Sequence, residues 1–423
     1  MDGYQTESTK RGWATEAKII DFPLLAHFRF SILIMIERTI CMYYFDNSAT
    51  TLPLPEVLEV WQKVSQDYFA NPSSAHLLGE KSQKLLISAR QQIGDLIQFD
   101  TSDVHFTSSG TESNNWVFQA ILPDLKAIHP QRNRILISAI EHPATLKQVS
   151  MLQEQGYQVD LIPVDSHGQV DLEVLASLLS EDILLLSTMA VNNEVGAIQP
   201  LKEISELLSE YPQIIWHVDA VQAITAAFDH ILRDRIDILS LSGHKFHAGR
   251  GVGVLAKRRR IPSRPFLYGG GQEKGLRSST ENLASIVAFS KALRLAYHHY
   301  QENFDQIKHF RLQIIQNLCQ HGWHVFAQET GSAHIVCAAL ENIPGEVLLH
   351  AFESEDIMVS TTSACSSRKQ TDHSTLKAMG VRPSLAQSAI RISMSHLTKQ
   401  SEVDYLCQAI DKISANFQKG VTD

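Results

Sequence analysis

The sequence has few cysteines, and their arrangement does not suggest a disulfide framework or a zinc site. Its 423 residues include five cysteines, scattered along the chain without a CxxC pair. An odd number of dispersed cysteines disfavours disulfide-stabilised secreted domains and favours a reducing, cytoplasmic compartment. The 19 histidines form no HExxH motif and no Cys/His pair at zinc spacing, so we predict no resident metal.

The chain also lacks long apolar runs and an excess of basic residues. The longest apolar stretches, residues 30–36 and 183–191, are shorter than the ~20 residues that a membrane-spanning helix needs. Lys and Arg number 37 against 46 Asp and Glu, which gives a net charge of −9. We therefore expect neither membrane insertion nor direct nucleic-acid binding.

The order of apolar segments predicts an α/β protein with an N-terminal extension. Residues 1–41 lack the pattern of a signal peptide, and we interpret them as a start-site artefact or a disordered appendage, with a targeting segment as the alternative. Apolar strands then alternate with helices, which is typical of a mostly parallel sheet covered on both faces. We predict a large domain at 42–300, with residues 42–55 free to pack against the other domain, and a smaller α+β domain at 301–423.

Polar segments follow directly after the predicted strands, which include RILISAI (134–140), ILLLSTMA (183–190), IIWHVDA (214–220) and IDILSLS (236–242). The segments that follow predicted strands are TSSGTESNN (107–115), EHPAT (141–145), VNNEVG (191–196), DAVQA (219–223) and SGHKFH (242–247). Parallel sheets bind ligands beyond the carboxyl ends of their strands. We therefore expect these segments to form one site.

Two of these segments indicate a pyridoxal 5'-phosphate (PLP) site. Lys245 follows a strand, and a partly desolvated lysine can form a Schiff base. Asp219 ends an apolar strand, where a carboxylate would be costly to bury without a cation. PLP enzymes pair a Schiff-base lysine with an aspartate that faces the pyridinium nitrogen. A solvated loop lysine is the alternative for Lys245 alone, but complementary groups at several strand ends favour the cofactor site.

Three further residues in these segments fit the same cofactor. Gln222 is placed to reach the phenolic oxygen of the ring. Gly110 and Thr111 stand at a predicted helix start, where backbone N–H groups favour a phosphate. Taken alone, that segment is equally compatible with an ordinary capped helix.

In this order, these segments resemble the cysteine desulfurases of the class V aminotransferase family, PLP enzymes of fold type I. The resemblance covers about residues 43–410 and includes YYFDNSATT, NPSSAH, GGGQEKGLRSSTEN, SACSS and AIRIS. It implies the fold type I architecture, PLP as cofactor and a homodimer. The expected activity is removal of sulfur from L-cysteine to give L-alanine.

The resemblance also implies individual roles. Lys245 would hold PLP, His142 would stack on its ring and move protons, and Asp219 and Gln222 would contact the ring nitrogen and phenolic oxygen. The phosphate positions are Gly110, Thr111, Ser242, His244 and, from across the dimer interface, Thr280. Asn193 would lie near the substrate and ring oxygen, and Arg391 would bind the substrate carboxylate. The alternatives are a turn residue for Asn193 and a sheet-edge charge for Arg391.

Cys365 matches the cysteine of the family's mobile loop, which takes up sulfur as a persulfide. A nucleophilic thiolate needs a polar or electropositive setting, which Arg368 and Lys369 can supply. The loop length resembles the group with a long cysteine loop, which passes sulfur to scaffold proteins for iron–sulfur cluster assembly or tRNA thiolation. In some members of that group this cysteine is a transient cluster ligand.

Several positions depart from the family pattern where it usually has glycine. Ser279, Thr362 and Ser395 occupy such positions, and His396 stands where an arginine is common. If those loops need positive φ, Ser279 and Thr362 would each cost ~1–3 kcal/mol. These losses motivate a second hypothesis, a PLP-binding sulfur-relay scaffold with weak turnover. The motifs are also compatible with a selenocysteine lyase or with another class V activity.

Overall fold

The computed structural model describes residues 42–362 and 374–419. Its strands are β1 (Tyr43–Tyr44), β2 (Val104–Thr107), β3 (Arg134–Ser138), β4 (Gln158–Ile162), β5 (Ile183–Met189), β6 (Ile215–Asp219), β7 (Ile238–Ser242), β8 (Gly253–Lys257), β9 (His324–Phe326), β10 (Ile335–Ala339), β11 (Ile357–Met358), β12 (Ser360–Thr361) and β13 (Ala389–Ser393). The α-helices are Pro55–Asp67, Leu77–Ile97, Gly110–Trp116, Leu122–Ile128, Pro143–Leu146, Gln148–Glu154, Leu172–Leu178, Leu201–Leu207, Leu283–Gln320, Gly345–Glu353, Ser374–Ala378, Pro383–Ala386 and Gln400–Lys419.

The main sheet has seven strands in the order β2-β8-β7-β6-β5-β3-β4. Neighbouring strands of this sheet run parallel to each other, except that β8 is antiparallel to both of its neighbours, β2 and β7. Side chains of β3 alternate between two hydrophobic clusters, with Leu136 in one and Ile135 and Ile137 in the other. Both faces of the sheet are therefore buried, which explains the near-continuous apolar strands.

A smaller antiparallel sheet, β12-β13-β10-β9, lies in the C-terminal part of the chain. The first strand joins this part, because β1 pairs in parallel with β11 and Phe45 packs in the C-terminal core. Helix Leu283–Gln320 contributes Leu293 to the core of the main sheet and Ile314 to the C-terminal core. The predicted boundary at residue 300 falls within this helix, and the domain division stays a prediction.

Within the described residues, every helix is too short or too polar to cross a membrane.

Candidate active site

A cavity of about 270 Å³ lies at the carboxyl ends of β5, β6 and β7. Ten of the eleven described residues that the sequence predicts for the site line it: Gly110, Thr111, His142, Asn193, Asp219, Gln222, Ser242, His244, Lys245 and Arg391. They come together because consecutive parallel strands end at the same edge of the sheet. Their individual roles stay predictions.

Asp219 is the acid on the floor of this cavity. It is the last residue of β6 and is 5% exposed. Its Oδ2 accepts a hydrogen bond from Asn114 Nδ2 at 2.7 Å, and its Oδ1 accepts one from the backbone N–H of Val221 at 3.0 Å. Both carboxylate oxygens are thereby fixed in direction, as a partner for a ring cation requires.

Lys245 lies in the short 3₁₀ turn after β7. Its Nζ donates hydrogen bonds to the backbone oxygens of Ser48 at 2.5 Å and Ala49 at 2.9 Å. Gln222 Nε2 donates to the same Ser48 oxygen at 2.9 Å. The segment that follows β1 therefore forms part of the cavity wall and holds the lysine amine.

Two histidines beside Lys245 are held as neutral rings. Burial, followed by the positive charge of Lys245, lowers the pKa of His244 to about 4. Burial also lowers the pKa of His142 below its usual value. His142 Nδ1 accepts a hydrogen bond from the backbone N–H of Ala144 at 3.1 Å, so the proton of the neutral ring is on Nε2. This defined tautomer suits a residue that transfers protons.

The glycine-containing turn after β2 leads into helix Gly110–Trp116. Ser109 caps the helix by accepting a hydrogen bond from the backbone N–H of Glu112 at 3.2 Å. A Cβ at Gly110 would lie 2.7 Å from Val221 Cγ2, so only glycine fits at this first helical position. The helix start, with Ser242 and His244 nearby in the cavity wall, forms a cradle suited to an anion.

Arg391 lies on β13, an interior strand of the small sheet, and is 3% exposed. A sheet-edge charge is therefore the wrong interpretation. Its Nη1 donates to the backbone oxygen of Asn193 at 2.8 Å, and its Nη2 donates to Asp46 Oδ1 at 2.8 Å. Asn193 lies in a turn and also lines the cavity. These contacts fix a guanidinium at the cavity wall, where it can meet a carboxylate.

The chain is similar to a known protein family, to named relatives and to solved structures. The family Aminotransferase class-V matches residues 43–406. The chain is 43% identical to a NifS/IcsS protein homolog of Lactobacillus delbrueckii subsp. bulgaricus, over 89% of this chain and 98% of the relative. It is 36% identical to the cysteine desulfurase IscS of Methanosarcina thermophila, over 88% and 91% of the two chains. A solved NifS-like protein superposes with a TM-score of 0.82 at 34% identity, covering 88% of this chain and 99% of that one.

The chain belongs to the cysteine desulfurases of the class-V aminotransferase family. This membership confirms the predicted α/β fold and the predicted enzyme class. It also implies PLP as the cofactor.

The residues that line this cavity fit PLP by their chemistry. The start of helix Gly110–Trp116 lines the cavity, where its backbone N–H groups suit an anion. The fixed carboxylate of Asp219 suits a ring cation, and Lys245 offers an amine in the same cavity. The cavity therefore contains an anion cradle, a counter-charge and an amine, the three features that PLP requires.

Two predicted residues are not among those that line this cavity. Thr280 lines a second cavity with Ser108 and Arg277, and its role across a dimer interface stays a prediction. Cys365 lies outside the described residues. No group of described residues is arranged to hold a metal ion.

The backbone strain considered for the glycine substitutions is not found. Ser279, Thr362 and Ser395 are described, and none of them has a positive φ. The left-handed conformation near the lysine belongs instead to His247, with φ of 67°. The hypothesis of a sulfur-relay scaffold with weak turnover was motivated by these substitutions, and the structure shows no positive φ at any of them.

Several partners of the charged residues in the site were not predicted from the sequence. Asn114 orients Asp219, Asp46 holds Arg391, and the backbone oxygens of Ser48 and Ala49 accept from Lys245. All four lie in the motifs TESNN and YYFDNSATT. The motifs marked the segments, but only the folded chain shows which side chain or carbonyl faces the cavity.

Proposed function

We propose that this protein removes sulfur from L-cysteine, leaving L-alanine and a persulfide on Cys365. The observation that carries the proposal is the placement of Lys245, Asp219, His142 and Arg391 around one cavity. Each supplies a different requirement of the reaction: an amine, a counter-charge, a proton carrier and a carboxylate-binding group. Relatives named as cysteine desulfurases support the choice of substrate.

In this proposal Gly110, Thr111, Ser242 and His244 would hold the phosphate of PLP, and Lys245 would bind the cofactor through its amine. Asp219 and Gln222 contact its ring. When bound, PLP withdraws electrons from the substrate's carbon atoms and so makes the bonds at those carbons easier to break. His142, with its proton on Nε2, moves protons at the substrate carbons.

Arg391 binds the substrate carboxylate, and Asn193 completes that part of the site. The guanidinium is held by Asp46 and by the backbone oxygen of Asn193, so its orientation is set before the substrate arrives. A fixed, bidentate donor orients the substrate carboxylate in the cavity that contains Lys245.

Cys365 attacks the sulfur of the bound substrate. A sulfur–sulfur bond forms as the substrate's carbon–sulfur bond breaks, and the electron pair stays on carbon, which takes up a proton to become the methyl group of L-alanine. The sum is one thiol and one cysteine converted into one persulfide and one alanine, with no outside oxidant.

The residues on either side of the undescribed segment support the reach of Cys365. Ser360 on β12 pairs with Arg391, and Thr375 Oγ1 is 3.4 Å from Asn192 Nδ2. Cys365 is five residues beyond Ser360, a span of up to ~18 Å. Both flanking residues thus lie beside the cavity or next to residues that line it.

We propose further that the persulfide passes to a protein of iron–sulfur cluster assembly or of tRNA thiolation, and that the enzyme is a cytoplasmic homodimer. Large apolar side chains support a second copy as partner, since Phe69 is 74%, Leu77 65% and Tyr268 81% exposed. Thr280, which lines a different cavity from Lys245, would then serve the partner's phosphate site.

The activity test incubates the PLP-loaded protein with L-cysteine and a reductant and follows sulfide and L-alanine. We expect equimolar products from the wild type and no sulfide from Cys365→Ala or Lys245→Ala. Cys319→Ala is the control, because Cys319 is an exposed cysteine that does not line the cavity. Undiminished sulfide release by Cys365→Ala would overturn the assignment of the nucleophile.

A further inference from the structure

Glu141 is a buried acid next to His142 that the proposed reaction does not use. It is 3% exposed. Its Oε1 accepts a hydrogen bond from the backbone N–H of Met189, the last residue of β5, at 2.6 Å. Met189 is the register partner of Asp219 on β6. The side chain therefore connects the loop after β3 with the strand end beside Asp219.

A second hydrogen bond joins the same two segments. Asn192 Nδ2, three residues beyond Met189, donates to the backbone oxygen of Ile140 at 3.1 Å. The loop that carries His142 is thus joined to the end of β5 at two consecutive residues, Ile140 and Glu141. The His142 ring is itself oriented by the hydrogen bond that its Nδ1 accepts from Ala144.

The surroundings of Glu141 do not suit a charge. Its Oε2 is buried and makes no hydrogen bond to any described residue, and no described cation pairs with it. The negative charge nearest in effect is that of Asp219, whose carboxylate already accepts two N–H hydrogen bonds from other residues. Burial, and then the negative charge of Asp219, raise the pKa of Glu141 well above its usual range. A neutral carboxyl group is the form that this pocket accommodates.

We propose that Glu141 is a positioning residue, held as an uncharged acid, that fixes the His142 loop against the strand end beside Asp219. The uncharged form leaves Asp219 without a second negative charge beside it. Its carbonyl oxygen keeps the Met189 hydrogen bond, and so holds the loop from which His142 enters the cavity. The part of this proposal that concerns the cofactor rests on the proposed function.

The test uses the PLP-loaded protein and two variants of similar size. Glu141→Gln keeps the carbonyl acceptor for Met189, and Glu141→Leu removes it. Infrared spectroscopy reports whether the wild type contains a protonated carboxyl group, by a C=O stretching band that is absent from Glu141→Gln. Circular dichroism of the visible PLP band reports the geometry around the cofactor, and neither readout needs turnover.

We expect the carboxyl band in the wild type and its loss in Glu141→Gln. The visible circular dichroism should fall at least ~2-fold in Glu141→Leu and return towards the wild-type value in Glu141→Gln. With L-cysteine, kcat of Glu141→Leu should fall about 10-fold with a KM within ~3-fold, because positioning of a proton carrier acts on the chemical step.

A missing band, or one that survives in Glu141→Gln, would contradict the uncharged acid. A Glu141→Leu protein with the visible spectrum and kcat of the wild type, or a Glu141→Gln protein as impaired as Glu141→Leu, would contradict the positioning role. If Glu141→Leu does not fold, the Glu141→Gln arm still decides, since a charged Glu141 would shift the visible spectrum on neutralisation. Failure of cysteine turnover in the wild type, with the infrared band present, would count against the proposed function alone.

Discussion

At the scale of single residues, Arg391 shows how a substrate-binding group is prepared. It is almost fully buried, yet two neighbours hold its guanidinium through hydrogen bonds to Asp46 and to the backbone of Asn193. Its Nε is buried and makes no hydrogen bond to a described residue. A planar donor fixed in this way is complementary to a carboxylate, whereas an ammonium group offers only a point charge.

We therefore expect Arg391→Lys to raise the KM for L-cysteine about 10- to 100-fold, with a smaller change in kcat, because a charged hydrogen bond contributes ~1.5–3 kcal/mol. Steady-state kinetics with L-cysteine measure this change. Arg382→Lys is the control, since Arg382 is 68% exposed and pairs with Glu341. An unchanged KM in Arg391→Lys would show that the carboxylate binds elsewhere.

At the scale of elements, three histidine rings connect the turn that carries Lys245 with helix Leu283–Gln320 and with the segment after β13. The ring of His396, which follows β13, stacks on His299 of helix Leu283–Gln320 with centroids 4.0 Å apart, and meets His247 edge-on at 4.6 Å. The Nδ1–H of His247 donates to the backbone oxygen of Leu52 at 2.7 Å. His396, where the family commonly has arginine, thus packs against the turn that carries Lys245.

These rings predict a loss of stability in acid. Burial lowers the pKa of His247 to about 4 and that of His396 to about 3, against ~6.5 in the unfolded chain. Between pH 6.5 and 4 the unfolded chain binds protons that the folded chain does not, so the contribution is complete above pH 6.5 and falls as the pH drops. Each of these two rings should lower the free energy of unfolding by roughly 1–2 kcal/mol when the pH falls to 5.

His396→Phe keeps a ring at this position but removes its titration. We expect urea unfolding to show a smaller loss of stability between pH 7.5 and pH 5 than in the wild type, by roughly 1–2 kcal/mol. His350→Phe, which makes the same substitution at an exposed histidine on helix Gly345–Glu353, is the control. Equal pH dependence in His396→Phe and the wild type would mean that His396 is protonated in the folded protein.

At the scale of the whole molecule, the site is proposed to need two chains. Thr280 lines a cavity with Ser108 and with Arg277 and other residues of the GGGQEKGLRSSTEN segment. Lys245 lines the other cavity, at the carboxyl ends of β5, β6 and β7. Exposed Phe69 and Tyr268 offer apolar surface for a second copy. In a two-fold dimer each chain would contribute to both sites.

A mixture of two variants, Lys245→Ala and Thr280→Ala, tests this arrangement, and we expect each variant alone to release little sulfide. Lys245→Ala and Thr280→Ala proteins are unfolded together, refolded and loaded with PLP. If Thr280 serves the partner's site, mixed dimers contain one site with both residues intact, and about a quarter of all sites should release sulfide. No recovery in the mixture, with dimers present by analytical ultracentrifugation, would place Thr280 in its own subunit's site.

The strands of the main sheet, and the segments that meet at their ends, could be predicted from the amino-acid sequence alone. The predicted strands 183–190 and 214–220 correspond to Ile183–Met189 and Ile215–Asp219, because a strand buried on both faces has to be apolar throughout. The convergence of the following segments came from the parallel order of the strands, which alternation with helices already implied.

Which distant side chains meet depended on the folded chain. Asp46 and Arg391 are 345 residues apart, and Asn114 and Asp219 are 105 apart. The acceptor for Glu141 and the contacts of His396 are likewise set by packing between separate segments. Periodicity and motif describe the local chain, whereas hydrogen-bond partners and the pKa of a buried group depend on what the fold places against it.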